Sequence, residues 1–234
     1  MKHVFVETNW VVDWASPAHH QVPAAAELLE KAKRGEIQLH LPAVCLHEAR
    51  GPIRKNCQPR NEAEAIRKFL LWAVEEKRVS RKDSDIVRTV LAQFQNILKG
   101  QIDGLLDTLD SLRNLRGVEV FALDDEIFER TAELSNLDLE LQPFDQSILA
   151  AVLVRAERLL TQGERDIAFC ELDHHLQPWD KNGDPKKLLS KLYDERRIWV
   201  YGDFSLIRPA PYEGWPDGVD EWRPGRRSDR DRER

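Results

Sequence analysis

The stretch His3–Trp14, HVFVETNWVVDW, is an apolar run interrupted once, by Glu7-Thr8-Asn9, before it turns apolar again. Lys2–Val6 reads as a short β-strand and the residues after the polar trio as a helix, so Glu7, Thr8 and Asn9 fall at a strand tip. Val6 lies on one side of Glu7 and Trp10, Val11 and Val12 lie on the other, which predicts a partly buried carboxylate. A buried charge is costly without a partner, so this position asks for one.

Outward from that stretch, strands and helices alternate. Pro23–Lys33 (PAAAELLEKAK) predicts a helix, Ile37–Leu41 a second strand closed by Pro42, and Pro42–Ile53 a helix with Glu48 in its first turns. Asn61–Glu76 follows as a helix whose apolar stripe is Ala65, Phe69, Trp72 and Ala73, and helical rhythm continues through Asp83–Leu98 and Ile102–Leu115. Residues from about Asn61 to Leu115 therefore read as a helical insertion. Gly117–Leu123 is a third strand, Asp124–Ser135 a helix with acids at its start, and Pro143–Leu160 a helix with Asp145 in its first turn. Asp166–Leu172 and Ile198–Tyr201 complete the strands. This alternation predicts an α/β fold: three layers, α/β/α, around a mostly parallel sheet of about five strands, within one domain over residues 1–207.

Composition narrows the class. With 234 residues, 41% of them hydrophobic, the chain can bury a sizeable core. A charged fraction of 32% and a mean hydropathy of −0.54 argue against membrane insertion. The N-terminus has no basic segment ahead of a long apolar stretch, so no secretory leader is predicted and a cytoplasmic location is expected. Cys45, Cys57 and Cys170 lack metal-type spacing and read as reduced thiols. The net charge of −6 counts against a nonspecific electrostatic hold on nucleic acid. Arg50, Arg54, Lys55 and Arg60, then Arg67, Lys68, Lys77, Arg78, Arg81 and Lys82, form either local basic patches or a solvated face with balancing acids. The last stretch, Arg208–Arg234, holds seven Arg and seven acids among Pro and Gly, and predicts a mobile tail. Its Tyr212, Trp215 and Trp222 are candidates for docking, on protein first and on RNA bases second.

In open α/β sheets, ligands bind outside the carboxyl ends of the strands. Glu7 ends the first strand, Glu48 lies in the helix after the second, Asp145 starts a late helix, and Glu171 and Asp173 end the fourth strand. One edge of the sheet can thus gather all these acids. They would repel one another unless a divalent cation neutralised them, and oxygen-only ligand sets suit Mg²⁺ or Mn²⁺.

In that order, VFVETN, LPAVCLHEAR, PFDQSILAAVL and IAFCELDHHL resemble the four acidic motifs of the PIN-domain ribonuclease family. The resemblance spans most of residues 1–204 and is carried by about forty of them. It implies a metal-dependent endoribonuclease in which Glu7, Glu48, Asp145 and Asp173 are the catalytic acids and Thr8 and Asn9 orient the first motif. Glu7, Asp145 and Asp173 would be the main ligands of Mg²⁺ or Mn²⁺, with Glu48 and Glu171 as further candidates. It also implies an RNA substrate and brings in an antitoxin protein and a second copy of the chain as candidate partners. The chain departs from the family at Glu7, where aspartate is usual, at Glu171, where threonine or serine is common, and in its helical insertion and C-terminal extension. The first departure leaves a second reading open, a catalytically degenerate PIN-like domain that binds RNA or a protein partner. A phosphatase of the haloacid dehalogenase class is disfavoured because its DxD nucleophile motif is absent from the first strand.

Each candidate has a plainer role. Asp145 could cap its own helix, and Glu48 could pair with Arg50 or Lys55 on a surface. Asp13 reads as a surface or helix residue outside the site. His19-His20 and His174-His175 read as non-ligands, since adjacent histidines rarely bind one ion together, and LHEAR lacks the second His of a zincin motif.

Overall fold

Five short apolar runs form the parallel centre of the sheet in a computed structural model that describes residues 1–16, 21–56, 60–180, 182–206 and 221–222. They are β1 (Lys2–Phe5), β2 (Ile37–Pro42), β3 (Val118–Phe121), β4 (Ile167–Cys170) and β5 (Ile198–Tyr201), joined at the edge by the two-residue antiparallel β6 (Glu221–Trp222). The sheet order is β3-β2-β1-β4-β5-β6. β4 is buried at every position, as a strand covered on both faces must be. The helices are α1 (Thr8–Trp14), α2 (Pro23–Lys33), α3 (Ala43–Asn56), α4 (Arg60–Glu75), α5 (Arg81–Ser111), α6 (Asp125–Ser135), α7 (Pro143–Thr161) and α8 (Lys187–Glu195). The architecture is a three-layer α/β/α fold. Among the described residues no helix is long and apolar enough to cross a membrane.

The chain lays β2 and β3 to one side of β1, then returns to lay β4 and β5 on the other. The winding reverses between β1 and β4, where Phe5 pairs with Phe169. Such a switch point leaves a crevice at the carboxyl ends of the two strands, because the connections leave in opposite directions.

Three elements differ from the sequence expectation. Asp83–Leu98 and Ile102–Leu115 fuse into the 31-residue α5 and a 3-10 turn. Gly100 and Gly104 do not break it, because the packing stripe Leu98, Ile102, Leu106 and Leu109 runs straight past them. In α4 the buried positions are Ala63, Leu70 and Ala73, whereas Phe69 and Trp72 point outward at 59% and 44% exposure. The expected stripe therefore describes the wrong face, apart from Ala73. α8 was not expected; its Leu189 and Tyr193 bury one side of a helix barely two turns long. Within the C-terminal tail, Glu221–Trp222 is an edge strand in register with Val200–Tyr201, which corrects the expectation of a mobile segment at those two residues. Tyr212 and Trp215, with Cys57, His19 and His20, lie outside the described residues. Cys45 and Cys170 are buried free thiols.

A buried polar chain ties the sheet to α7. His3 Nδ1 lies 2.9 Å from His40 Nε2, and His40 Nδ1 lies 2.7 Å from Glu119 Oε2. Arg155 of α7 donates to the other oxygen of Glu119, and His3 Nε2 meets Glu164 at 3.2 Å. The register explains the meeting: His40 sits opposite both Phe5 and Glu119, so these side chains share one face of the sheet with His3.

Candidate functional site

Glu7 follows β1 and is the N-cap of α1. Its backbone is extended, and its Oε2 accepts the Asn9 backbone N–H at 2.8 Å, the ordinary capping bond. Capping uses one oxygen only; Glu7 Oε1 is buried without a hydrogen-bond partner among the described residues. The next residue, Thr8, donates its hydroxyl to Glu48 Oε2 across the packed α1 and α3. Glu48 thus takes Thr8 as partner, while Arg50 pairs with Asp110 at 2.7 Å, so the surface ion pair considered for Glu48 is not the one formed.

On the other side of the switch point, Glu171 is the first residue after β4 and is completely buried. Its backbone N–H donates to Tyr201 and its carbonyl accepts Gln177 Nε2 at 2.9 Å. Its Oε1 accepts the Asp173 backbone N–H at 2.5 Å, whereas Oε2, like Glu7 Oε1, has no partner among the described residues. Glu7 and Glu171 each lie two residues beyond the paired Phe5 and Phe169, past the ends of β1 and β4, and Glu171 feels the charge of Glu7. Asp145 enters from the first turn of α7, behind Pro143, with a hydrogen bond from the Gln142 backbone. The N-cap of α7 is Gln142, without a side-chain cap bond, so Asp145 is a first-turn acid and not the cap.

The carboxylates influence their neighbours in a chain of pairs. Burial pushes Glu7 up, and the charges of Glu48 and Asp173 add to the effect against the hydrogen bonds from Asn9. Glu171 is raised well above the usual range, by burial first and by Glu7, Asp173 and Asp145 in addition. Burial also raises Glu48 and Asp145; Asp145 pushes Glu48 further and Asp173 pushes Asp145, while Thr8 and His175 oppose the respective shifts. On Glu7 and Glu171, burial and mutual repulsion thus favour protons over bare charge. A divalent cation would replace them, since the two unpartnered buried oxygens and three neighbouring carboxylates are the hard oxygen donors that Mg²⁺ and Mn²⁺ take.

Sequence reading placed Glu7, Glu48, Asp145, Glu171 and Asp173 together; in the structure they lie near enough to feel one another's charge, while among the described residues no three of them bring their carboxylate oxygens within 4.8 Å of one another. Thr8 and Asn9 are there as well, Asn9 holding Glu7 and Thr8 holding Glu48. Asp13, left out of the site, is half-buried in α1 and burial raises it. Two features had no clear signal. Cys45 lies buried close enough to feel Glu7 and Glu48, yet its sequence setting is that of a core residue. Lys186 donates to the carbonyls of His174 and His175 and feels the charges of Asp173, Asp180 and Glu140, with burial lowering it overall. In Asp184-Pro185-Lys186-Lys187 it reads as one more solvated cation. Comparison of the chain with protein-family models, with curated proteins and with solved structures found no match.

Proposed function

We propose that this chain is a divalent-metal-dependent endoribonuclease of the PIN-domain type, as the resemblance of its acidic motifs implies. One observation carries the reading: Glu7 and Glu171, just past the ends of β1 and β4, are both buried, and each keeps an unpartnered oxygen. Folding places these groups together at an energetic cost that hydrogen bonds within the described residues do not offset, and a cation is the simplest group that would.

Glu7, Glu171, Asp145 and Asp173 would hold the cation. What it supplies when bound is a water made nucleophilic near neutral pH and stabilisation of charge on the phosphoryl oxygens. The chain's own residues set the conditions for that chemistry. Asn9 fixes the rotation of Glu7 through its backbone N–H. Thr8 restrains Glu48, the least constrained of the acids, which can take a proton from water as general base. Pro143 starts α7 so that Asp145 stands in its first turn, within reach of the charge of Asp173. A toxin role with an antitoxin partner, and association of two copies, belong to the same reading.

The test is cleavage of a panel of structured RNAs with Mn²⁺, with Mg²⁺ and with EDTA, alongside Asp145→Asn. We expect metal-dependent cutting that falls at least about 100-fold in the variant, beyond the ~10–100-fold that loss of an outer-shell partner costs. Equal inertness of both proteins, with no heat of metal binding, would favour the degenerate, partner-binding domain instead.

A further inference from the structure

Just past the acidic crevice, the loop after β4 presents Asp173, His174 and His175. One ligand atom from each of these three consecutive residues lies within 4.8 Å of the other two. Adjacent side chains in an extended segment point apart, which is why neighbouring histidines read as non-ligands. Here the backbone turns: Leu176 and Gln177 both return their N–H groups to the Asp173 carbonyl, at 3.0 and 3.2 Å. That turn brings the two imidazoles to the same side, with ring centroids 4.0 Å apart and planes at 41°. His174 Nδ1 stands 3.6 Å from Asp173 Oδ1.

The loop is held in this shape from both ends. The His175 N–H donates to Asp173 Oδ1 at 2.9 Å, and Lys186 grips the carbonyls of His174 and His175 from the start of α8. Asp173 is anchored in turn through its N–H to Glu171, whose second oxygen is fully buried and unpartnered beside it.

We propose that Asp173, His174 and His175 form a nitrogen-containing cation site at the mouth of the acidic crevice, selective for borderline transition ions such as Zn²⁺ or Co²⁺. Two imidazoles and one carboxylate differ in kind from the all-oxygen set deeper in. Imidazole suits Zn²⁺, Co²⁺ and their neighbours, whereas Mg²⁺ prefers oxygen and keeps its waters. Three protein ligands leave a coordination position for water or for a phosphate oxygen. The site rests on the proposed function to the extent that Asp173 serves both, so a substrate phosphate drawn to the crevice would pass the histidines first.

Cobalt reports on this directly, because its visible absorption depends on ligand type and geometry. Metal-free full-length protein titrated with Co²⁺ should develop a visible band, and Zn²⁺ should displace it. In the double variant His174→Ala/His175→Ala we expect Co²⁺ affinity to fall at least about 10-fold with loss of the band, while Mg²⁺ affinity is unchanged. Both rings are exposed, so the variant should fold; its melting temperature in EDTA checks this. An unaltered cobalt spectrum and affinity in the double variant would overturn the site. The wild-type protein separates the two proposals: a His-dependent cobalt band without any RNA cleavage sinks the nuclease and keeps the site, and cleavage with no His-dependent band does the reverse.

Discussion

At Glu7 a capping bond and a buried oxygen meet on one carboxylate, and the consequence is a pH dependence. Its folded value is raised from 4.5, burial being the main cause, to about 8. The protonated form is favoured by folding, so the stability it contributes is complete below about pH 4.5 and is lost as pH rises through about 8. Glu119 works the other way. The hydrogen bond from His40, with that from Arg155, holds it at about 2, so its contribution is present above pH 4.5 and is lost as pH falls towards 2. Burial keeps His40 below the usual imidazole range, which also weakens the fold in acid. Metal-free protein should therefore melt highest in mildly acidic solution. Calorimetry across pH 4–9 should show Glu7→Gln flattening the alkaline limb and Glu119→Gln removing much of the acid one, about 2–4 °C for each 1 kcal/mol in a domain of this size. The five acids were legible because each follows an apolar run or opens a helix. The depth of Glu171 was not, since its complete burial comes from strands and loops distant in sequence, and neither was the role of Lys186.

Elements were legible where their own periodicity decides them, as in α2 and β5, whose bounds the sequence predicts. They were harder to read where a partner decides. The face that α4 buries depends on α5, and a stripe containing Phe69 and Trp72 is as good a helical pattern as the one actually packed. Stripe continuity outweighs the roughly 1 kcal/mol that each interior glycine costs a helix, which is why α5 runs unbroken. Gly117 has a stricter role. It enters β3 at a φ of +78°, and a Cβ there would lie 2.1 Å from the Ala32 carbonyl oxygen at the end of α2. Backbone meets backbone at this contact, so nothing nearby can swing aside. Gly117→Ala should cost at least about 2 kcal/mol in urea unfolding, from the left-handed conformation and the overlap together. An unchanged midpoint would mean that the turn before β3 can be rebuilt.

For the molecule as a whole, the net charge of −6 and a crevice lined with acids make cations the natural counterweight to its field. Mn²⁺ at a hundredfold excess over its dissociation constant should add about 2.7 kcal/mol to the unfolding free energy, and EDTA should remove it. A differential scan at pH 7.5 with and without Mn²⁺ measures this without any RNA present, and identical traces would contradict the cation site. The order of the sheet has one more effect, on the timing of synthesis. Glu7 and Glu171 follow the neighbouring strands β1 and β4 but stand 164 residues apart in the chain. At roughly 5–20 residues per second, a ribosome makes the second half of the crevice on the order of 10–30 s after the first. A nascent chain released before β4 carries Glu7, Glu48 and Asp145 but lacks Glu171 and Asp173, so these acids meet only after β4 has been made.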